Sequence, residues 1–571
     1  MATAQDRYRQ WLAHPCFDAA TQAELAGLKD QPGEIEDRFY RDLDFGTGGL
    51  RGILGAGTNR MNRYVIRQAA SGLSAYLASF GLEAKRRGVV IAHDSRRCSP
   101  EFALEAARVL AAAGVKAYLW DSLRPTPMLS FAVRELGATA GIVVTASHNP
   151  PEYNGFKVYW SDGGQVPPER AAAIKAQMAA VDVTAVPLVA EREARAAGLL
   201  ATVPPAVDRA YYDRLLALVG GPDERRQACR VLYTPLHGSG HWPVRTVLND
   251  ARFAVTMVGA QAEPDPNFST VKAPNPEDPA VFALALAQAE HLQPDVILAT
   301  DPDADRLGLM ARDATGAYRL LTGNQIGALL VDFLLARAVA EGRLPANGAV
   351  LKSIATANMV DPICRQYGVA LINTHTGFKF IGDKIREWEE TGEHTFLFGF
   401  EESYGYLAGA FVRDKDAVMA ALLATEAAAW HKRQGRTLCD ALEELWQRHG
   451  YYREALHSVT LPGKDGLAQM AVLMQRLRDA PPTAIGPLPV AFTDDYLSGI
   501  SREAATCAES PLVLGRADVL HYRFGDGGFV MVRPSGTEPK LKLYVAVKGA
   551  TAAEADERLA AVEAAARGLL A

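Results

Sequence analysis

Short unbroken apolar runs alternate along the chain with longer segments whose apolar residues recur at helical spacing. Gly88-Val89-Val90-Ile91-Ala92, Val115 to Trp120 and Ala140-Gly141-Ile142-Val143-Val144 read as strands, and Phe102 to Ala113 as a helix between them. Alternation of this kind predicts a parallel sheet with helical crossovers. The pattern lapses near residues 182–206, where Ala, Pro and mixed charge prevail. It resumes with strands at Arg230–Thr234, Phe253–Val258 and Asp295–Thr300. A third α/β stretch carries strands at Ala349–Ser353 and Val369–Asn373. The final stretch has strand pairs around 518–532 and 540–547 and closes on an Ala-rich amphipathic helix from Thr551 to Leu570. Ahead of all this, residues 5 to about 42 have helical spacing, with Trp11, Leu12, Phe17, Leu25, Leu28 and Phe39 set among charges. These breaks predict four domains, at 1–205, 206–320, 321–452 and 453–571, which suits a chain of 571 residues. No repeat is legible by residue identity, yet three successive α/β units predict a repeated architecture.

Composition narrows the function classes. A hydrophobic content of 49% and a charged content of 22% are those of an ordinary soluble globular protein. The net charge of −6 argues against nucleic acid or an anionic membrane as a partner. An anionic small substrate would then need local clusters of Arg and Lys. The six cysteines (Cys16, Cys98, Cys229, Cys364, Cys439, Cys507) form no CxxC pair, so reduced thiols and a cytoplasmic location are expected. The N-terminal residues lack the apolar core of a signal peptide, and no stretch reaches the roughly 20 apolar residues of a membrane span.

Candidate chemistry sits where predicted strands end. Thr145-Ala146-Ser147-His148-Asn149-Pro150 follows the run at 140–144 and precedes a predicted loop, Pro151 to Gly155. A hydroxyl is delivered there between an imidazole and an amide, and such a serine can carry a phosphoryl group. The alternative is a Ser-Asn-Pro turn without chemistry. Thr300-Asp301-Pro302-Asp303-Ala304-Asp305-Arg306 follows the strand at 295–300. Read as extended backbone, it puts Asp301, Asp303 and Asp305 on one face. Three adjacent carboxylates repel unless a cation sits among them, and hard oxygen ligands favour Mg²⁺. Mg²⁺ usually takes a phosphate oxygen as well, which Ser147 could supply. Arg306 beside them suits phosphoryl handling, and a solvated Asp-rich turn is the alternative.

Further along, Arg533-Pro534-Ser535-Gly536-Thr537-Glu538-Pro539-Lys540 reads as an anion site. Gly536 permits an unusual backbone angle that aims successive N–H groups at one phosphate, and Arg533 adds a bidentate fork. In Gly399-Phe400-Glu401-Glu402-Ser403-Tyr404-Gly405, Glu401 and Ser403 can share a face and grip neighbouring sugar hydroxyls, or simply form a polar loop. Arg413-Asp414-Lys415-Asp416 is either functional or a solvated charge run. Arg51, in the glycine-rich loop predicted from Phe45 to Gly52, is either a phosphate contact or a surface residue. Lys157 and Lys379 each follow an aromatic residue over which either could snorkel. His93, His237 and His241 read as structural or surface histidines.

Together these segments resemble the α-D-phosphohexomutase superfamily over nearly the whole chain, within it the branch of phosphoglucomutase-2 and the bacterial phosphoglucomutase/phosphomannomutases. The matching motifs are Phe-Gly-Thr-Gly-Gly-Leu-Arg-Gly, Thr-Ala-Ser-His-Asn-Pro, Asp-Pro-Asp-Ala-Asp-Arg, Gly-Phe-Glu-Glu-Ser-Tyr-Gly and Arg-Pro-Ser-Gly-Thr-Glu-Pro-Lys, in the family's order. The resemblance implies three mixed α/β sandwich domains plus a smaller C-terminal α+β domain around a central cleft. It implies a phosphoserine at Ser147, which with Asp301, Asp303 and Asp305 would hold one Mg²⁺. Arg51 and Arg306 would flank the moving phosphoryl group. Thr376, Lys379, Glu401, Ser403 and Lys415 match positions lining the sugar site. Arg533, Ser535, Gly536 and Thr537 would hold the phosphate that is not reacting. His148, Lys157 and Lys415 are candidates for general acid or base, Lys415 preferred by its matched position.

The implied activity is that of an intramolecular phosphotransferase. It would interconvert hexose 1-phosphate and hexose 6-phosphate, with glucose or mannose as the sugar, through a hexose 1,6-bisphosphate that also serves as activator. Pro302, Ala304, Phe400 and Pro534 depart from the best-known phosphoglucomutase pattern and resemble the named branch. That branch includes phosphopentomutases and sugar-bisphosphate synthases, so the sugar stays open. A metal-dependent sugar phosphatase and a non-catalytic sugar-phosphate sensor are the rivals from other classes. The expected partner is a phosphosugar, and the expected assembly a monomer or dimer.

Overall fold

The computed structural model describes residues 3–46, 48–460, 466–534 and 540–570. It divides into two compact units. The first comprises Met1–Thr322, Phe378–Gly399 and Ser403–Thr437, and the second Gly323–Gly377, Phe400–Glu402 and Leu438–Ala571.

The first unit holds two mixed sheets of one design. In the first sheet the strands lie in the order Gly49–Ile53, Tyr153–Trp160, Ala140–Val144, Val89–His93, Ala117–Leu119, Leu200–Thr202. The last four run parallel, Tyr153–Trp160 runs antiparallel to them, and Gly49–Ile53 pairs antiparallel with Tyr153–Trp160 at the edge. In the second sheet the order is Tyr318–Leu320, Leu307–Arg312, Val296–Thr300, Arg230–Thr234, Ala254–Met257. Here the three parallel strands come first along the chain, and the antiparallel Leu307–Arg312 and Tyr318–Leu320 complete the sheet. Two of the three α/β units predicted to repeat thus share a core topology, one antiparallel strand beside three parallel ones. Ala140–Val144 and Val296–Thr300 are buried at every position, as expected for parallel strands covered on both faces.

Several sequence expectations change in detail. The segment after Pro151 is not all loop: Tyr153, Asn154 and Gly155 open a strand. Gly155 is needed there, because a Cβ would stand 2.4 Å from the Thr145 carbonyl oxygen. Arg51 lies in an edge strand rather than in a loop. The region 182–206 contributes Leu200–Thr202, too short to show a period, to the first sheet. The N-terminal stretch is three helices, Ala4–Ala13, Ala19–Ala26 and Pro32–Phe39. They break where Asp18 caps the second helix and Pro32 starts the third. Trp11 stacks on Phe17 at 4.2 Å, and both meet Tyr64 of the first domain's long helix Arg63–Ala78.

The second unit pairs Gly348–Ser353 with Ala370–Thr374 in parallel. It also builds an antiparallel sheet, ordered Tyr451–Thr460, Lys540–Gly549, Phe529–Pro534, Leu520–Phe524, Leu488–Asp495, Ile500–Glu503, Glu509–Pro511. The helix Ala552–Gly568 packs on that sheet. Contrary to expectation, one helix, Gly323–Ala340, is long and apolar enough to cross a membrane by length and composition. It packs on the helices Val360–Tyr367 and Leu438–His449, and Ile326, Leu330 and Val331 are buried.

A pH-sensitive element lies in this sheet. His521 is buried edge-on to Phe529, with ring centroids 4.6 Å apart, and Nδ1 is 3.9 Å from Asp494 Oδ2. Burial lowers its pKa to about 4, against the pull of Asp494. An unfolded histidine takes a proton near pH 6.5, and the folded one resists until about pH 4. Stability is therefore full above pH 6.5 and falls as pH drops between these values, by about 3 kcal/mol in total. Urea unfolding from pH 7.5 to 4.5 should show this slope, and His521→Phe should flatten it. An unchanged slope in the variant would assign the loss elsewhere.

Candidate active site

Two loops of the first unit occupy the same place in their two sheets. Each leaves the C-terminal end of a parallel strand and returns as an antiparallel one, and open α/β sheets present ligand-binding groups at such ends. The loop after Ala140–Val144 carries Ser147, and the loop after Val296–Thr300 carries Asp301, Asp303 and Asp305. Ser147 is buried with φ of 53°, a left-handed conformation rare for serine. Its N–H donates to Thr145 Oγ1 at 2.9 Å, and its hydroxyl donates to Asp301 Oδ2 at 2.8 Å. His148 Nδ1 lies 3.1 Å from the same hydroxyl oxygen.

The aspartates converge as predicted, by a different route. The segment is a turn and not extended backbone: Asp301 Oδ1 accepts the N–H groups of Asp305 (3.1 Å) and Arg306 (3.0 Å), and Ala304 has φ of 47°. One carboxylate oxygen from each aspartate lies within 4.8 Å of the others, and all three residues are buried. Asp303 Oδ2 accepts Lys157 Nζ at 2.8 Å and Thr126 Oγ1 at 2.9 Å. Asp305 Oδ2 is 3.4 Å from Lys157 Nζ and 3.2 Å from Lys415 Nζ. Asp303 Oδ1 and Asp305 Oδ1 are buried and accept no hydrogen bond among the described residues. Buried carboxylate oxygens without donors are costly, and a hard divalent cation is the partner that suits an all-oxygen set. The trio fits a metal.

Electrostatics bear the mark of crowded negative charge. Burial, with Asp303 and Asp305 alongside, pushes the Asp301 carboxyl well above its ordinary range. Burial also opposes charge on Asp305, but Lys415, Lys157 and Arg306 outweigh it and hold that carboxylate ionised. Burial, aided by Arg306 and Arg51, drives His148 well below the ordinary histidine value, so its imidazole is neutral. Burial works against the Lys157 charge too, yet Asp303 and Asp305 leave its pKa raised.

Around this centre, Arg51 donates to Asn149 Oδ1 at 3.4 Å, and Arg306 donates to Glu277 at 2.6 Å. Arg413, Asp414 and Asp416 are buried, so the charge run at 413–416 is not a solvated face. Tyr159 donates to Asp414 at 2.6 Å, and Asp414 accepts Lys415 Nζ at 2.9 Å. Gly405 makes room for this lysine, since a Cβ there would stand 2.2 Å from Lys415 Cδ. Lys157 reaches carboxylates instead of its neighbouring ring, and Lys379 Nζ sits over Phe380, 5.2 Å from the centroid, not over the Phe378 ring that precedes it, which Lys415 Nζ faces at 5.4 Å. The structure thus gathers Ser147, His148, Lys157, Asp301, Asp303, Asp305, Arg306 and Lys415, with Arg51 alongside.

The second unit carries Thr376, Glu401 and Arg533. Glu401 is buried and accepts the Gly377 N–H at 2.6 Å, while Glu402 accepts the Ser353 hydroxyl at 3.0 Å. The strand Thr395–Glu401 ends before Ser403, which sits in a turn of the first unit, so simple alternation does not relate the two side chains. Arg533 is partly buried near the end of the strand Phe529–Pro534, and Ser535, Gly536 and Thr537 lie outside the described residues. Sequence reasoning missed Asp94, Arg96, Thr126 and Tyr159, and left Asp414 open within the 413–416 charge run. Of the four missed residues, only Asp94 and Arg96 carried a signal, as part of the polar run His93-Asp94-Ser95-Arg96 at the end of a buried strand.

Comparison with known proteins places this geometry. Models of the phosphoglucomutase/phosphomannomutase alpha/beta/alpha domains I, II and III match residues 42–184, 209–316 and 322–449, and that of the C-terminal domain matches 497–565. A phosphoglucomutase of Staphylococcus epidermidis is 38% identical over 518 residues, covering 90% of this chain and 92% of the relative. Two solved structures share the fold. A phosphoglucomutase/phosphomannomutase family protein of Burkholderia thailandensis is 19% identical at a TM-score of 0.66, over 92% of this chain and 96% of that one. The parafusin (phosphoglucomutase) of Paramecium is 17% identical at a TM-score of 0.66, over 93% and 95%. With all four domain models matched in order and that level of identity across nine-tenths of its length, the chain belongs to the phosphoglucomutase/phosphomannomutase family.

Proposed function

We propose that the protein is a phosphosugar mutase that interconverts hexose 1-phosphate and hexose 6-phosphate, glucose first, with Ser147 as phosphoryl carrier. The observation that carries this is the 2.8 Å contact between the Ser147 hydroxyl and a buried aspartate trio whose free oxygens suit a cation. Ser147, Asp301, Asp303 and Asp305 would hold one Mg²⁺, which when bound offsets phosphoryl charge. The chain's own groups do the rest. Phosphorylated Ser147 gives its phosphoryl group to one sugar hydroxyl, yielding a bisphosphate, and takes back the other phosphate after the bisphosphate turns around. Phosphoryl transfer of this kind depends on positioning and charge more than on covalent chemistry.

The proton of each attacking hydroxyl needs an acceptor. Lys157 and Lys415 are held among carboxylates as cations, which suits them to binding charge and to protonating a departing oxygen. Neutral His148, 3.1 Å from the Ser147 oxygen, is the better acceptor there. Arg51 and Arg306 would flank the moving group. Thr376, Lys379, Glu401 and Ser403 would grip hydroxyls, and Arg533, Ser535, Gly536 and Thr537 the second phosphate. Sugar 1,6-bisphosphate would prime the serine. Incubation with glucose 1-phosphate, Mg²⁺ and a trace of glucose 1,6-bisphosphate tests the reading. Glucose 6-phosphate is the expected product. Release of inorganic phosphate alone would make the protein a phosphatase, and no turnover of any hexose or pentose phosphate would make it a sensor.

A further inference from the structure

Ser147 sits in a conformation that costs an L-residue about 1–2 kcal/mol, and one buried side chain is built around the loop that imposes it. Arg96, 1% exposed, spends its guanidinium on main-chain oxygens of that loop. Nη2 donates to the carbonyls of Ser147 (2.6 Å) and Asn149 (2.5 Å), and Nη1 to those of Pro150 (2.8 Å) and Tyr153 (3.0 Å). Nε lies 3.2 Å from Asp94 Oδ2, and the guanidinium carbon is 5.0 Å from the centroid of the Phe268 ring. Asp94 completes a circuit. Its Oδ2 accepts the Thr145 hydroxyl at 2.7 Å, and Thr145 Oγ1 accepts the Ser147 N–H at 2.9 Å. Asp94 Oδ1 accepts the Arg96 N–H and the Ser99 hydroxyl. Ser147 is therefore tied at its N–H through Thr145 and Asp94, and at its carbonyl through Arg96. A planar fork with five fixed donors can hold all four of these carbonyls at once, and an ammonium, with three donors on one atom, cannot.

We propose that Arg96, with Asp94 as its counter-charge, is a positioning residue that holds Ser147 left-handed with its hydroxyl facing Asp301, and so sets the rate of phosphoryl transfer. The inference rests on the reading of Ser147 as the phosphoryl carrier. In the priming step the serine oxygen attacks phosphorus, the bond from phosphorus to the sugar oxygen breaks, and the serine proton ends on that sugar oxygen. A displacement of about 1 Å at such a centre costs about 10²-fold in rate.

The test is single-turnover labelling of dephosphorylated full-length protein with ³²P-glucose 1,6-bisphosphate and Mg²⁺. Arg96→Lys keeps the charge but not the fork. Thr145→Val, nearly isosteric, cuts the other arm and serves if the lysine variant does not fold. A positioning role predicts that the labelling rate constant falls about 10²-fold for Arg96→Lys, with bisphosphate Kd and final label per protein unchanged. For Thr145→Val it predicts a smaller fall of the same kind. A wild-type rate constant with reduced label would mean that Arg96 only supports folding, and would overturn the proposal. Wild-type protein that never takes label on Ser147 would overturn the carrier reading itself, which separates the two failures.

Discussion

Replacement of Ser147 by alanine should abolish interconversion of the hexose phosphates, lowering kcat by about 10⁴-fold or more while substrate still binds. That corresponds to about 5.5 kcal/mol of barrier, more than any loss of packing at this position supplies. The fold should persist. Alanine tolerates the left-handed backbone about as poorly as serine, and among the described residues the side-chain bonds lost are those to Asp301 and His148. Ser147→Gly separates chemistry from strain. It should be just as inactive, yet more stable by about 1 kcal/mol, because glycine adopts φ of 53° without penalty. Turnover assays, intact-mass detection of phosphoserine and thermal melts together check this. Undiminished turnover in either variant would end the covalent account.

Asp303→Asn should lower kcat/KM by about 10³-fold, the scale seen when one element of a charge-stabilising set is removed. Its effect on metal is the sharper readout. In wild-type protein, Mg²⁺ should raise the melting temperature by mass action, and chelation should reverse this. In the variant that response should vanish. The metal-free variant should be no less stable than metal-free wild type, because removing one carboxylate relieves the crowding that pushes the Asp301 carboxyl upward. Equal Mg²⁺-induced stabilisation in both proteins would show that the trio is not the metal site.

These outcomes turn on residues of unequal legibility. Buried parallel strands announce themselves as continuous apolar runs, so Val89–His93, Ala140–Val144 and Val296–Thr300 could be read within a residue or so. Ser147 and the three aspartates could be singled out because an unbroken strand delivers each polar cluster to its end. What surrounds them could not. Lys157 and Asp303 are 146 residues apart, Tyr159 and Asp414 255, and no local period links such pairs. The 413–416 run looks like solvated charge, because burial of its acids depends on Tyr159 and Tyr211, which come from distant strands and helices.

Sequence by itself determined the alternation of strand and helix, the parallel cores of the sheets and the polar clusters at strand ends, because each follows from short-range apolar spacing. Tertiary structure alone decided the left-handed serine, the turn that gathers the aspartates and the guanidinium that ties down the serine loop. Those depend on the meeting of chain segments far apart in sequence, where burial removes water and makes each charge answer to whatever neighbour the fold supplies.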